Sequence, residues 1–96
     1  MPTKEAIKNR IKSLLARYNA ESALLFGSYA RGDQTLDSDI DVVVFGGESF
    51  KKSNIFAFAE ELRESFGIDA DVFEISEVNE GSAFYDNLMR EGIMIA

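Results

Sequence analysis

The 96-residue sequence contains no cysteine and no histidine. Without cysteine the chain can form no disulfide, and it has no thiolate to act as a nucleophile or metal ligand. Without histidine it lacks the usual base for chemistry at neutral pH and the imidazole ligands that zinc favours. Any metal ion held by this chain is therefore expected to be a hard cation with oxygen ligands.

Basic side chains are also scarce. Ten lysines and arginines stand against 17 aspartates and glutamates, which gives a formal net charge of −7. Proteins that bind long nucleic acids neutralise phosphates with clustered lysine and arginine. This charge balance therefore argues against long DNA or RNA as a ligand.

Long apolar runs are absent too. No segment approaches the ~20 apolar residues that a membrane span needs, and the N-terminal stretch, in which basic and apolar residues alternate, lacks the apolar core of a signal peptide. We therefore expect a cytoplasmic protein with no membrane partner. The length predicts one domain, residues 1–96, with a single hydrophobic core.

Hydrophobic periodicity predicts helices that alternate with short strands. The first half is predicted to contain, in order, a helix over 3–18 capped by Thr3, a buried strand over 22–26, one helical turn over 28–31, a polar loop over 33–38 and a valine-rich strand over 40–45. The second half is predicted to contain a helix over 53–66 with Ser53 as N-cap and Gly67 in the left-handed conformation at its end, a strand within 68–75, a helix from Ser82 to Gly92 with Phe84, Leu88 and Met89 directed inward, and a strand or tail over 93–95. The order α-β-α-β-α-β-α predicts an α/β (α+β) fold.

The segment LFGSYARGDQTLDSDIDVVV, residues 25–44, carries the strongest functional signal. Gly27 and Ser28 follow the first strand, and a glycine there allows a tight turn whose N–H groups favour an anion such as a phosphate. Ser28 can donate its hydroxyl to the same anion. Arg31 lies one turn later, where it can pair with the phosphate or with a carboxylate of the loop.

Asp39 and Asp41 flank Ile40 at the start of the second strand. Residues two apart on a strand project to the same face, so the two carboxylates point one way while Ile40 and Val42 point into the core. Two such carboxylates repel unless a cation lies between them. Mg²⁺ binds through one or two carboxylates, water and nucleotide phosphates, which matches this pair.

Transfer to a hydroxyl needs a third acid, both to take the hydroxyl proton and to complete a two-metal site. Asp69 and Asp71 lie on the third predicted strand and share a face. We prefer Asp71 because it lies deeper in the strand, whereas Asp69 follows the Gly67 helix stop closely. Alternation alone leaves both residues open.

These residues resemble the signature of the polymerase-beta-like nucleotidyltransferase superfamily, and more closely that of the minimal nucleotidyltransferases, the MNT family. The pattern GSxARGxxxxxSDxDxxV is filled at every fixed position by Gly27, Ser28, Ala30, Arg31, Gly32, Ser38, Asp39, Asp41 and Val44. The strand at Asp71 and the terminal Arg90-Glu91-Gly92-Ile93 stretch also look family-like, so the resemblance covers nearly the whole chain.

The resemblance implies a nucleotidyltransferase fold, a small mixed sheet flanked by helices. It implies ATP as nucleotide donor, bound through Gly27, Ser28, Arg31 and Ser38. It also implies a catalytic and Mg²⁺-binding set of Asp39, Asp41 and Asp71. The implied partner is a HEPN-type toxin, which such antitoxins neutralise by transferring AMP to a tyrosine, in an oligomeric complex.

Two alternatives remain open at this point. The first is transfer to a small hydroxylated molecule such as an aminoglycoside, although enzymes of that kind usually carry an extra substrate-binding domain. The second is a non-catalytic antitoxin that binds nucleotide and blocks its toxin by complex formation alone. The small size favours an acceptor hydroxyl on another protein, because 96 residues cannot easily build both a nucleotide site and a closed second pocket.

Overall fold

The computed structural model describes every residue from Met1 to Ala96. The elements follow in the order α1 (Lys4–Tyr18), β1 (Ser22–Phe26), α2 (Gly27–Arg31), β2 (Ile40–Phe45), α3 (Asn54–Phe66), β3 (Ala70–Glu74), a 3₁₀ turn (Ile75–Glu77), α4 (Ala83–Glu91) and β4 (Ile93–Ile95). The predicted element order is confirmed, and the C-terminal stretch is a strand. No helix is long and apolar enough to cross a membrane.

The four strands form one mixed sheet in the order β3-β2-β1-β4. Strand β1 runs antiparallel to both of its neighbours, and β2 and β3 are parallel. A parallel pair needs a crossover connection, which α3 supplies. The mixed sheet flanked by helices that the resemblance implied is therefore confirmed, and β3 and β4 are its two edge strands.

The two faces of the sheet are covered unequally. Helices α1 and α3 pack on one face and bury the main core, which includes Ile11, Val42 and Phe58, each with no exposed surface. On the other face, only Leu24, Val43 and Leu88 form a small buried cluster under α4. Because this second face is partly open, side chains near the ends of its strands can serve a site.

Three predicted caps, Thr3, Gly67 and Ser82, are confirmed, and one, Ser53, is wrong. Thr3 accepts a hydrogen bond from the Ala6 N–H, and Gly67 ends α3 at φ 65°. Ser53 makes no capping hydrogen bond because its φ and ψ of −62° and −21° are already helical, whereas a capping side chain needs an extended backbone. The N–H of Asn54 donates instead to the Lys51 carbonyl, which closes the turn before α3.

The inward face of α4 was predicted only in part. Leu88 is 2% exposed as expected, and Ser82 caps the helix, but Phe84 and Met89 keep 44% and 43% of their surface in solvent. The helix lies on the thinly covered face of the sheet, so only one of its apolar residues reaches a closed core. Phe84 packs edge-on against Phe26, with ring centroids 5.6 Å apart.

Candidate active site

The turn after β1 brings the chain against the acidic pair. Gly27 opens α2 at φ 72°, a conformation that other L-residues rarely adopt. A Cβ at this position would also collide with the carboxylate of Asp41. Glycine is therefore required here for two reasons: its backbone angle, and the Asp41 side chain that lies directly against its backbone.

Asp41 lies near two other carboxylates, those of Asp71 and Asp39. In the parallel pairing of β2 and β3, Asp41 is directly opposite Asp71. Asp39 precedes β2 by one residue. Burial raises the pKa of the Asp41 carboxyl to about 6, and the charges of Asp71 and Asp39 add to the rise. Asp69 is not among the charges that shift this pKa, so the structure brings Asp71 to Asp41 and not Asp69.

The donor set fits a hard divalent cation. No three acidic side chains lie close enough together to hold a metal ion by themselves. The three carboxylates offer only oxygen donors. The pKa of Asp41 is raised by burial and by repulsion from Asp71 and Asp39, and a bound cation would offset both effects. Mg²⁺ is the cation that accepts one or two carboxylates and completes its octahedron with water and phosphate oxygens.

Arg31 joins the end of α2 to the loop and to α4. Its Nε lies 3.1 Å from Oδ2 of Asp33 and its Nη1 lies 3.8 Å from Oε2 of Glu91. The sequence left two roles open for Arg31, pairing with a phosphate or with a carboxylate of the loop. The structure contains the pairing with a loop carboxylate, that of Asp33. The guanidinium is half exposed, and its charge opposes the rise in the pKa of Asp41. It therefore lies near enough to the carboxylates to act on a ligand there.

The two serines of the motif occupy different positions. Ser28 lies half-buried in the first turn of α2, and its carbonyl accepts hydrogen bonds from the N–H groups of Gly32 and Asp33. Ser38 shapes the loop, since its hydroxyl accepts a hydrogen bond of 2.9 Å from the Thr35 N–H. This turn fixes the approach of the chain to Asp39. A contact of either serine with nucleotide stays a prediction.

Glu74, the acid at the end of β3, is a structural residue. It is 5% exposed, and its carboxylate accepts hydrogen bonds from the backbone N–H groups of Ser76 and Gly46, at 3.0 and 3.2 Å. Burial would raise the pKa of Glu74, but a hydrogen bond from the Ser76 hydroxyl, the two backbone hydrogen bonds and the nearby charge of Lys52 outweigh burial and lower it. Glu74 therefore holds the end of β2 to β3 and lies outside the carboxylate group.

Sequence reasoning missed two features beside the site. The Glu91 contact with Arg31 joins residues 60 positions apart, so periodicity could not reveal it. A hollow of about 170 Å³ also lies beside the Gly27 turn. It is lined by Phe26, Gly27, Arg31, Phe84, Asn87, Leu88 and Glu91.

Residues 9–96 match the family described as Polymerase beta, Nucleotidyltransferase. The chain therefore belongs to this nucleotidyltransferase family. Its relatives include two proteins of Methanocaldococcus jannaschii that are named as candidate protein adenylyltransferases. One is 31% identical over 87 residues, which cover 91% of each chain. The other is 44% identical over 59 residues, which cover 62% of this chain and 55% of the relative.

Solved structures share the fold. A protein described as a candidate minimal nucleotidyltransferase superposes with a TM-score of 0.80 at 26% identity, covering 96% of this chain and 95% of that one. A toxin–antitoxin crystal structure with AMP-PNP gives 0.78 at 23% identity, covering 93% and 72%. A complex of a tri-AMPylated Shewanella oneidensis HEPN toxin with an MNT antitoxin gives 0.73 at 19%, covering 98% and 72%.

Proposed function

We propose that this protein is a Mg²⁺-dependent nucleotidyltransferase that transfers AMP from ATP to a tyrosine hydroxyl of a HEPN-type toxin and acts as its antitoxin. One observation carries the proposal. The Gly27 turn lies against the Asp41 carboxylate, and Asp41 is opposite Asp71. A candidate phosphate turn, a candidate metal ligand and a candidate base thus lie side by side.

The reaction needs three operations at this place. The acceptor oxygen forms a bond to the α-phosphorus of ATP while the bond from that phosphorus to the bridging oxygen breaks, so pyrophosphate leaves and AMP stays on the acceptor. The hydroxyl proton passes to a carboxylate, for which Asp71 is the candidate because it is exposed and lies opposite Asp41. Backbone N–H groups of the Gly27 turn, with the Ser28 hydroxyl, orient the phosphates.

Asp39, Asp41 and Asp71 are the residues that would hold Mg²⁺. When bound, the ion supplies positive charge that stabilises the oxygens around the reacting phosphorus. Arg31 adds a fixed positive charge at the edge of the same group. Asp33 and Glu91 hold Arg31 from two sides, so its guanidinium is oriented before nucleotide arrives.

The identity of the acceptor is proposed from the relatives and from the open shape of the groove beside the carboxylates. The Methanocaldococcus relatives carry names that describe transfer of adenylyl groups to protein, and the Shewanella complex contains a HEPN toxin that bears AMP. The largest groove beside the carboxylates is an open one of about 450 Å³, not a closed pocket for a second small substrate. An acceptor hydroxyl presented by another protein suits this open geometry.

The position of the transferred phosphorus tests the proposal. The protein is incubated with Mg²⁺, a HEPN-type toxin and ATP labelled on either the α- or the γ-phosphate. AMP transfer predicts label on the HEPN protein from α-labelled ATP alone. Label from γ-labelled ATP would indicate phosphoryl transfer and contradict the proposal, as would a stable complex without label, which indicates an antitoxin that acts by binding.

A further inference from the structure

The outer edge of β3 is one of the two free edges of the sheet. The Ile40 N–H donates to the Asp69 carbonyl at 2.9 Å, so the backbone groups of Asp69, Asp71 and Phe73 face β2. Those of Ala70, Val72 and Glu74 consequently face outward. An edge of this kind can pair with another chain.

Side chains cover both ends of this edge but not its middle. Arg63 donates from Nη2 to the Ala70 carbonyl at 2.9 Å, and Glu77 accepts from the Glu74 N–H at 3.1 Å. Val72 lies between them, and its outward N–H and carbonyl have no hydrogen bond from any side chain. The edge therefore offers one donor and one acceptor at the position next to Asp71.

A groove of about 450 Å³ follows this edge between β3 and α3. It lies in the ~300–1,000 Å³ range that ligand pockets occupy. Phe56 and Phe73 contribute apolar surface to its lining and are 78% and 37% exposed. Asp71 lines the same groove, so the groove is continuous with the candidate active site.

The charges of the groove indicate what it would accept. Glu60, Asp71 and Glu77 line it, and the single basic residue, Arg63, lies 3.4 Å from the Glu60 carboxylate. The groove is therefore net acidic, as is the whole chain at −7. A segment with lysine or arginine complements this surface, whereas an acidic segment is repelled.

We propose that the free edge of β3 and its groove receive an extended basic segment of the acceptor protein, which adds to the sheet at Val72 and presents its hydroxyl residue to Asp71. This inference rests on the proposed function. In an added strand, directly opposite residues have Cβ atoms ~4.5–5.5 Å apart, so the residue opposite Asp71 brings its side chain to that carboxylate. A tyrosine ring there also reaches Phe73, its diagonal neighbour.

Peptide binding tests the inference directly. The probe is a seven-residue peptide with a central tyrosine and alternating lysine and valine, and its matched control carries glutamate in place of lysine. We expect the basic peptide to shift the Val72 amide signal in NMR spectra of the protein and to slow its hydrogen exchange. The acidic peptide should bind at least about tenfold more weakly, a difference of about 1.4 kcal/mol.

Two exposed apolar residues near opposite edges of the sheet provide matched variants. Phe56 lies on α3, and Phe56→Ser removes apolar surface from the groove without adding charge, while Met94→Ser makes the same kind of change on β4, where Met94 is 57% exposed. Phe56→Ser should weaken binding of the basic peptide at least about tenfold and leave ATP affinity unchanged, while Met94→Ser changes neither. Equal effects of the two variants, or peptide-induced shifts confined to β4 or α1, would overturn the inference.

The same peptide separates the inference from the function on which it rests. With ATP and Mg²⁺, the wild-type protein should attach AMP to the tyrosine of the bound peptide. If the peptide protects Val72 but gains no AMP, the proposed transfer fails while the docking edge stands. If AMP is transferred equally by wild type and Phe56→Ser, the transfer stands and the docking edge fails.

Discussion

Replacement of Asp41 by asparagine should stabilise the metal-free protein at pH 7.5. The folded state raises the pKa of Asp41 from 3.8 to about 6, a shift of about 2 units that corresponds to about 3 kcal/mol. Asp41 is only half-buried, so solvent screening reduces the expected destabilisation by the ionised carboxylate to about 1–1.5 kcal/mol. Asparagine keeps the shape of the side chain and removes the charge. The melting temperature should therefore rise by about 4–8 °C.

The pH dependence follows from the sign of the shift. The folded state holds the Asp41 proton more tightly than the unfolded state does. The free energy of unfolding of the wild type therefore falls as pH rises from about 4 to 6, and above pH 6 the ionisation of Asp41 causes no further change. Most of the gain from Asp41→Asn should therefore disappear at pH 4. Urea unfolding of the wild type and of Asp41→Asn, in EDTA at pH 4 and at pH 7.5, measures the difference in their free energy of unfolding at each pH.

Exposed Asp37, in the loop before Asp39, provides the control. Asp37→Asn should change stability by no more than about 0.5 kcal/mol at either pH. Mg²⁺ should then raise the unfolding midpoint of the wild type more than that of Asp41→Asn. A loss of stability in Asp41→Asn at pH 7.5, or an equal gain at both pH values, would refute the electrostatic reasoning.

Four further variants probe residues around Asp41 and at the end of β3. Asp71→Asn should reduce the transfer rate at least about 100-fold by removing the candidate base, whereas Asp69→Asn should change it little, and steady-state kinetics with the reverse ranking would give the role to Asp69. Gly27→Ala should weaken ATP binding in calorimetry at least about tenfold, because its φ of 72° and the adjacent Asp41 leave no room for a Cβ. Glu74→Gln should destabilise the fold by about 2 kcal/mol at pH 7 in urea unfolding. Since the pKa of Glu74 is lowered, that cost should shrink as pH falls below its ordinary value, and an unchanged cost would contradict the assignment.

Local pattern predicted the elements well because the strands are short, apolar and bounded by turn residues. Strands 22–26 and 40–45 have the predicted limits, and the predicted turn at 28–31 begins one residue earlier, at Gly27. Ser53 failed as a cap because residue type does not determine the backbone angle that a cap needs. The exposure of Phe84 depends on how far α4 covers the sheet, which periodicity within α4 does not contain.

The candidate site shows the same division between local and non-local information. Spacing along the chain placed Gly27 and Asp41 in one motif, and the structure brings them into contact. Asp69 and Asp71 could not be separated by alternation, since both project to one face of β3. The parallel register with β2 separates them by pairing Asp71 with Asp41, and register depends on the whole sheet. Glu74, at the end of β3, is buried and accepts backbone hydrogen bonds from Gly46 and Ser76, which the pattern along the chain does not reveal.

The most direct test of the proposed transfer is the intact mass of a HEPN-type toxin, measured after incubation with this protein, ATP and Mg²⁺. The proposal predicts a mass gain in whole AMP units, which is absent when Asp39→Asn and Asp41→Asn are combined in a variant that still folds. An unchanged mass in a complex that nevertheless forms would contradict it, as would an equal gain with the double variant.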